Sequence, residues 1–181
     1  MEDIKIITDE PEKKADKKQN IIFAILMTIL IALVIVLVTF TFICAPVVIK
    51  GDSMNPSLFD GDIIMISKIH KTPVLGDIIV YKKPQEKKIT VIKRVVGVAG
   101  DIFCMEKNEY NDDILIKQND PDKTEYILSP SQHLYLKRYY GETIEIKEGE
   151  VFTIGDNTTN SIDGRNYGTI QISEIIGIKI N

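Results

Sequence analysis

The chain has 181 residues, of which 44% are hydrophobic and 27% are charged, and its formal net charge is −4. This length allows one folded domain with an appendage. A chain with a negative net charge lacks the basic surface that nucleic-acid binding requires. We therefore expect no nucleic acid among its partners.

The hydrophobic residues are concentrated near the N-terminus. Residues 21–45 carry no charge, and Thr28, Thr39 and Thr41 are their only polar residues. As a helix, about 25 residues rising ~1.5 Å each cover ~37 Å, which is enough to cross a ~30 Å hydrocarbon core. A buried soluble helix is one alternative, and a cleaved signal peptide is another, although its apolar region would span only ~7 to 15 residues. We expect a transmembrane helix at 21–45 that stays in the protein.

The polar segment before this helix sets the expected orientation. Residues 1–20 have no apolar periodicity and predict a disordered cytoplasmic tail. Their lysines nearest the helix are Lys13, Lys14, Lys17 and Lys18. Because basic flanks stay on the cytoplasmic side, we expect a single-pass protein of the cell membrane with residues 46–181 on the extracytoplasmic side. Pro46 is expected to end the helix.

Beyond Pro46, short β-branched runs alternate with turn residues. Strands are predicted in the runs VVIK, IIMISK, GDIIVYK, KITVIKRVVGV, TEYILS, LYLK, TIEIKE and EVFTIG. No helical periodicity is found outside the membrane segment. The prediction is a mostly β domain over 46–181, with a twisted, coiled sheet favoured over a two-layer sandwich. Residues at about 105–149 are more polar and predict an irregular peripheral insertion.

Common motifs of hydrolases and metal sites are absent from the sequence. There is no HExxH and no Ser-x-x-Lys, and Asn55 stands where a nucleophile elbow after Ser53 would need glycine. His70 and His133 are expected at the surface, and a Ser-His-Asp site stays open only if one of them folds back to Ser53. The two cysteines have no metal or redox spacing. We expect no metal, no organic cofactor and no disulfide.

Two segments carry a candidate nucleophile and a candidate base. Ser53 lies in a tight turn before a proline, where its hydroxyl either is exposed for reaction or satisfies a turn amide. In the strand Thr90–Gly97, alternation places Lys93 on one face with Val91 and Val95. Burial there would lower the lysine pKa from about 10.4 and provide a neutral amine as a base. A solvated lysine on an edge strand is the alternative.

A third segment, Gly155–Gly168, is a loop rich in glycine, asparagine and hydroxyl residues. Asp163 and Arg165 could form an ion pair that pins this loop, and Ser161 could orient a lysine amine. The alternative is a plain polar turn.

Taken in this order behind a membrane helix, these segments resemble the bacterial type I signal peptidase (leader peptidase) family, in its single-span Gram-positive type. The matching boxes are Ser53–Leu58, Gly61–Ile64, Lys93–Gly97 with Gly100-Asp101, and Gly155–Asn157 with Ser161, Asp163 and Arg165. The resemblance covers the anchor and nearly all of the remaining chain.

The resemblance implies a coiled β-sheet catalytic domain of the signal peptidase and LexA type. It also implies a serine endopeptidase that removes signal peptides from secreted precursors after small residues. Ser53 would form an acyl-enzyme with Lys93 as its base, and Ser161 would hold the lysine. The Ser53 N–H would contribute to the oxyanion hole, and Gly51 stands where some members have a second donor. Ser57, Ala99, Thr158 and Gly164 depart from the family pattern and are expected to alter only loop packing.

The expected partners are precursors that bear signal peptides and the lipid bilayer. Met54, Leu58 and Phe59 could contact the membrane interface, with core packing as the alternative. Two other functions stay open. A self-cleaving repressor of the LexA type would need a DNA-binding domain, which the short acidic tail does not offer. The other is a membrane-tethered β module that binds a partner without cleaving it. In such a module Ser53 and Lys93 would have no catalytic role.

Overall fold

The computed structural model describes residues 11–69 and 72–180, with side chains from residue 17 onward. His70 and residues 1–10 lie outside the described residues, so the expectations for them stay predictions. The chain divides into two compact units between Phe42 and Ile43.

One long helix, α1, spans Pro11–Ile43 and accounts for the described residues of the first unit. Its part Lys17–Ile43 has 27 residues with a mean hydropathy of 3.5, so it is long and apolar enough to cross a membrane. Hydroxyls of Thr28 and Thr39 donate to carbonyls one turn back, which satisfies these polar groups within the helix. The single long helix predicted from the sequence is present, with different ends.

Both ends of α1 correct the sequence-based expectation. Residues 11–20, expected to be disordered, are helical, because lysine, alanine, glutamate and glutamine, which make up most of this run, favour helix. At the other end Pro46 does not terminate the helix, which stops at Ile43 because Cys44 begins a strand. Pro46 lies inside that strand.

The second unit contains eleven strands among the described residues. In chain order β1 to β11 span Cys44–Val48, Ile63–Ser67, Ile78–Lys82, Thr90–Gly97, Ile102–Lys107, Asp113–Lys117, Glu125–Ile127, Thr143–Glu145, Glu150–Ile154, Ile170–Gln171 and Ile175–Lys179. The helices are α2 at Pro130–Tyr140 and α3 at Gly164–Tyr167, with a 3₁₀ turn at Ile172–Glu174.

The strands form two antiparallel sheets. One has seven strands in the order β1-β2-β11-β3-β4-β9-β10, and the other has four in the order β7-β6-β5-β8. The mostly β prediction is confirmed. The seven-stranded sheet buries one core around Ile79, Tyr81 and Val95, and another around Met54 and Ile66. The four-stranded sheet has its own core, which includes Phe103, Leu115 and, from α2, Leu136.

Strand β1 accommodates Pro46 because it is an edge strand. The bonds Ile49 N to Asp62 O and Lys68 N to Ile43 O set the alternation of its pairing with β2. The main-chain N–H and C=O groups of odd-numbered residues of β1 therefore point toward β2. Those of even-numbered residues point away from the sheet. Pro46 occupies an outward position, where its missing N–H costs no ladder hydrogen bond.

The segment at 105–149 differs most from its prediction. It is not irregular: most of the four-stranded sheet and the whole of α2 lie in it. The run LYLK, predicted as a strand, lies in α2 and not in a sheet. Ser129 and Gln132 form a reciprocal capping box with Pro130 at the first turn, which starts a helix here. Its position as a peripheral insertion, like the domain boundaries, stays a prediction.

Candidate active site

Ser53 lies in a turn that the surrounding chain holds firmly. The N–H of Gly51 donates to the Asp60 carboxylate at 2.7 Å, and the N–H of Asn55 donates to the Asp52 carbonyl at 3.1 Å. Met54, directly after the serine, is buried in the core. Gly51 has φ +83°, a backbone conformation that residues with a side chain rarely adopt. The turn thus presents Ser53 on a backbone fixed on both sides.

Lys93 projects from the middle of β4 onto this turn. Its Nζ lies 2.7 Å from the Ser53 Oγ and 2.8 Å from the Ile92 carbonyl oxygen. Only 3% of the lysine surface is exposed. Burial lowers the pKa of Lys93 from its ordinary value to about 8, while the carboxylates of Asp163 and Asp156 act in the opposite direction.

This arrangement suits a lysine that shares protons with a serine. A neutral amine has two N–H groups and one lone pair. The Ile92 carbonyl can accept one N–H, which leaves the lone pair for the Ser53 hydroxyl proton. A pKa of about 8 means that a useful fraction of Lys93 is neutral near neutral pH.

Asp163 and Arg165 form a buried ion pair in the third predicted segment, with exposed fractions of 0% and 2%. The arginine donates from Nε to Asp163 Oδ1 and from Nη2 to Asp163 Oδ2, both at 3.0 Å. It also donates to the carbonyls of Ile127 and Thr158. Asp163 in turn accepts the Gly155 N–H at 3.0 Å. The pair therefore fixes the loop that follows β9.

Ser161 lies beside the nucleophile turn without bonding to the lysine. Its Oγ is buried and has no hydrogen-bond partner among the described residues. A Cβ added to Gly155 would lie 2.2 Å from this Oγ and 2.5 Å from the Ser53 carbonyl oxygen. Gly155 therefore lets the serine loop and the Ser53 turn approach closely. That Ser161 holds Lys93 stays a prediction.

Sequence reasoning missed the roles of the two residues after Gly155. Asp156 pairs with Arg94 through two hydrogen bonds, of 2.8 and 2.6 Å. Asn157 donates its main-chain N–H to the Ser53 carbonyl and its side-chain amide to the Asp52 carbonyl, both at 3.1 Å. The sequence indicates Gly155–Asn157 only as a family box, and no pattern in it predicts these partners.

The histidines do not form a triad with Ser53 in the described part of the chain. His133 lies on α2, with Nδ1 3.3 Å from the Asp113 carboxylate. His70 lies outside the described residues. Among the residues that are described, no group of three or more His, Cys, Asp or Glu side chains could hold a metal ion.

A groove of about 280 Å³ leads to the dyad between two strand edges. One wall is Val47–Lys50 with Ser53 and Met54, and the other is Thr90–Lys93. The hydrogen bonds Lys83 N to Ile89 O and Val95 N to Asp77 O set the alternation of the pairing between β3 and β4. The main-chain groups of odd-numbered residues of β4 point toward β3. The main-chain groups of Thr90 and Ile92 therefore face the groove.

The groove is open because β9 does not extend along its length. Strand β9 pairs with β4 only from Arg94 onward. Four antiparallel steps separate β1 from β4 in the sheet, so these two walls run in the same direction. Both walls lead toward the dyad, at Ser53 after β1 and at Lys93 within β4.

Comparison with known proteins gives the family. The model of the family described as signal peptidase, peptidase S26, matches residues 22–180. Signal peptidase I P of Bacillus subtilis subsp. natto is 32% identical over 93% of this chain and 91% of its own. Signal peptidase IB of Staphylococcus aureus is 32% identical over 84% of each chain.

Two further similarities have lower coverage. A probable signal peptidase I-1 of Synechocystis sp. is 32% identical over 82% of this chain and 76% of its own. A crystal structure of a signal peptidase I from Enterococcus faecalis V583 has 22% identity and a TM-score of 0.39, over 59% of this chain and 96% of that chain. The family match and the relatives do not favour a non-catalytic binding module. The chain belongs to the signal peptidase family, peptidase S26, and is a peptidase.

Proposed function

We propose that this protein is a membrane-anchored signal peptidase in which Ser53 is the nucleophile and Lys93 the general base. It removes signal peptides from precursor proteins, as its family and its relatives support. The observation that carries the assignment of the dyad is the distance of 2.7 Å between Lys93 Nζ and Ser53 Oγ. The two residues come from separate parts of the chain, and the lysine is buried.

Acylation begins with neutral Lys93. Its lone pair accepts the Ser53 hydroxyl proton while Ser53 Oγ attacks the scissile carbonyl. Lys93, now an ammonium, gives that proton to the nitrogen of the leaving chain. The C–N bond breaks, and the signal peptide remains on Ser53 as an ester. Lys93 is neutral again at the end of this step.

Deacylation repeats the proton transfer with water. Lys93 takes a proton from water, whose oxygen attacks the ester carbonyl. The bond between the carbonyl carbon and Ser53 Oγ breaks, the signal peptide leaves with a free carboxyl group, and Lys93 returns the proton to Ser53 Oγ. The N–H of Ser53 contributes to the oxyanion hole in this proposal, and the hydrogen bonds that hold its turn support that role. Gly51 cannot supply a side-chain donor, and its N–H already donates to Asp60.

The groove suits an extended peptide next to the cut. A peptide between the edges of β1 and β4 can bond to main-chain groups on both walls, as in strand addition. The groove is small, about 280 Å³, and apolar residues such as Val47 and Val91 line it. These features support cleavage after residues with small apolar side chains, such as alanine.

The membrane anchor follows from α1. The span Lys17–Ile43 supports a single crossing of a lipid bilayer. The lysines before it support a cytoplasmic N-terminus and an extracytoplasmic catalytic domain. Phe59 and Ile63 are exposed and available for contact with lipid, whereas Met54 and Leu58 are buried in the core.

Incubation of the full chain in detergent with a secretory precursor tests this function. We expect one new N-terminus, after a small residue, with wild type and none with Ser53→Ala. Circular dichroism must show that the variant is folded. An intact precursor after incubation with folded wild type would contradict the assignment, as would cleavage by Ser53→Ala.

A further inference from the structure

A second cleft is bordered by Ser161, which lies close to the Ser53 turn beside Gly155. It has a volume of about 500 Å³, and its lining includes Ile127, Ser129, Thr158, Thr159 and Ser161. The geometry points to this cleft as the binding site for the mature part of the precursor, the residues that follow the scissile bond. This inference rests on the proposed function and extends it to substrate recognition.

The cleft and the groove meet at the nucleophile. Ser161 lines the cleft and Ser53 lines the groove. Gly155 lies between the side chain of Ser161 and the carbonyl of Ser53. A Cβ on Gly155 would be 2.2 Å from the Ser161 Oγ and 2.5 Å from the Ser53 carbonyl oxygen. The N–H of Asn157, one residue before Thr158, donates to the same Ser53 carbonyl. A peptide passing Ser53 therefore reaches the cleft within a few residues.

The direction of the groove selects which part of the substrate enters the cleft. Strand β1 starts at Cys44, directly after α1 in the chain, and leads toward Ser53. A precursor held in the membrane by its signal peptide would enter from the Cys44 end and run parallel to both walls. Strand β9 closes the groove beyond Lys93. The chain that follows the cut must then leave over the loop at 157–161, which borders the cleft.

One wall of the cleft is the outer edge of a sheet, where no further strand pairs among the described residues. Strand β7 is at the edge of the four-stranded sheet, and Leu128 N bonds to Asp113 O. This bond fixes the alternation, so that the main-chain groups of Glu125 and Ile127 face away from β6. The Ile127 carbonyl already accepts from Arg165, which lines the cleft. Main-chain groups of β7 can therefore hold an extended peptide whatever its side chains are.

Substrate length and a cleft-filling variant test the inference. The Ile127 side chain is 58% exposed, so Ile127→Trp narrows the cleft without changing the core. Leu134→Trp, on α2 with 68% exposure and outside the lining, is the matched control. Each full-length protein in detergent is assayed on two precursors with the same signal peptide. One ends with the second residue after the cut, and the other continues for about ten residues, ~33 Å when extended.

We expect wild type and Leu134→Trp to have a lower KM for the long precursor. Ile127→Trp should raise the KM for the long precursor about fivefold, as for the loss of one hydrogen bond, and leave the short precursor unaffected. Equal KM values for both lengths with wild type would overturn the inference, as would an equal effect of Ile127→Trp on both lengths. If wild type cleaves neither precursor, the proposed function itself fails.

Discussion

Lys93 Nζ lies within hydrogen-bonding distance of Ser53 Oγ, at 2.7 Å, although 40 residues separate the two in the chain. The bond joins a buried amine to a hydroxyl that faces an open groove. Because burial lowers the pKa of Lys93 to about 8, the protonation of this one group controls the nucleophile in the physiological range.

The pH dependence of cleavage follows from this pKa. Lys93 is a base only when neutral, so kcat/KM should rise about tenfold per pH unit below pH 8 and level off above it. Asp156→Asn removes a carboxylate that favours the ammonium form of Lys93 and so lowers the pKa of Lys93. The rising part of its pH profile should therefore move to lower pH. Rates from pH 6 to 10 on one precursor measure both. A flat profile, or a limb that moves to higher pH in Asp156→Asn, would contradict Lys93 as the base.

Substitutions of the lysine separate its charge from its basicity. Lys93→Arg keeps a cation, but a guanidinium does not deprotonate in proteins, so cleavage should fall by about 10⁴-fold or more. Lys93→Met keeps the length without a base and should be equally inactive. Lys82→Met, an exposed lysine on the neighbouring strand β3, is the control and should cleave normally. Substantial activity in Lys93→Arg would mean that another group takes the serine proton.

The same lysine makes the stability of the protein depend on pH. Its pKa is about 8 when folded and close to 10.5 when unfolded, so between these values the unfolded chain binds more protons. The free energy of unfolding should therefore rise with pH across this window, by about 3 kcal/mol relative to Lys93→Met. Thermal or urea unfolding of both proteins from pH 7.5 to 10.5 measures the difference. A constant difference would mean that Lys93 keeps its ordinary pKa.

The parts of the site that could be predicted are those with chemical constraints on residue type. Of the neighbouring residues Lys93 and Arg94, only the lysine can lose its proton in a protein and act as a base. Strand alternation places the two side chains on opposite faces of β4. The opposite charges of Asp163 and Arg165, two residues apart, suggested their pairing. These inferences needed no long-range geometry beyond one strand and one loop.

Other features depended on geometry that the sequence does not carry. The partners of Asp156 and Asn157 lie in strands and turns far away in the chain. The short apolar run LYLK is typical of a strand between turns, but the capping box at Ser129 and Gln132 starts a helix that contains it. The helical run at 11–20 has no apolar periodicity that would predict a helix, although lysine has good helix propensity.

The buried ion pair predicts a large loss of stability when one partner is removed. Asp163→Ala leaves the Arg165 charge buried without its carboxylate and should lower the free energy of unfolding by about 3 to 5 kcal/mol. The double variant Asp163→Ala with Arg165→Met should recover part of this loss. Urea unfolding in detergent measures each variant. Glu142→Ala, which removes an exposed partner of Lys137, is the control and should leave the midpoint unchanged.

If Asp163→Ala unfolds at the wild-type midpoint, Arg165 must find solvent or another acceptor. The ion pair between Asp163 and Arg165 would then not stabilise the loop that follows β9. Activity at a temperature where the variant is still folded gives a second readout, because Asp163 also accepts the Gly155 N–H.

Gly155 is the position where a single methyl group should damage catalysis through the backbone. A Cβ there would lie 2.5 Å from the Ser53 carbonyl oxygen, which cannot move without shifting the nucleophile. We expect Gly155→Ala to lower kcat by about 10²-fold, as for displacement of reacting atoms by about 1 Å. Gly177→Ala is the matched control, because its Cβ would lie 2.6 Å from the Ser67 carbonyl, away from the dyad.

Both glycine variants should unfold at lower temperature, since each crowds a backbone carbonyl in a packed region. Below those temperatures Gly177→Ala should cleave at the wild-type rate, and only Gly155→Ala should have a reduced kcat. Adding Ser161→Gly to Gly155→Ala relieves the contact with Ser161 but not the one with the Ser53 carbonyl, so it should restore stability more than kcat. Equal activities of Gly155→Ala and Gly177→Ala would mean that the Ser53 turn tolerates displacement.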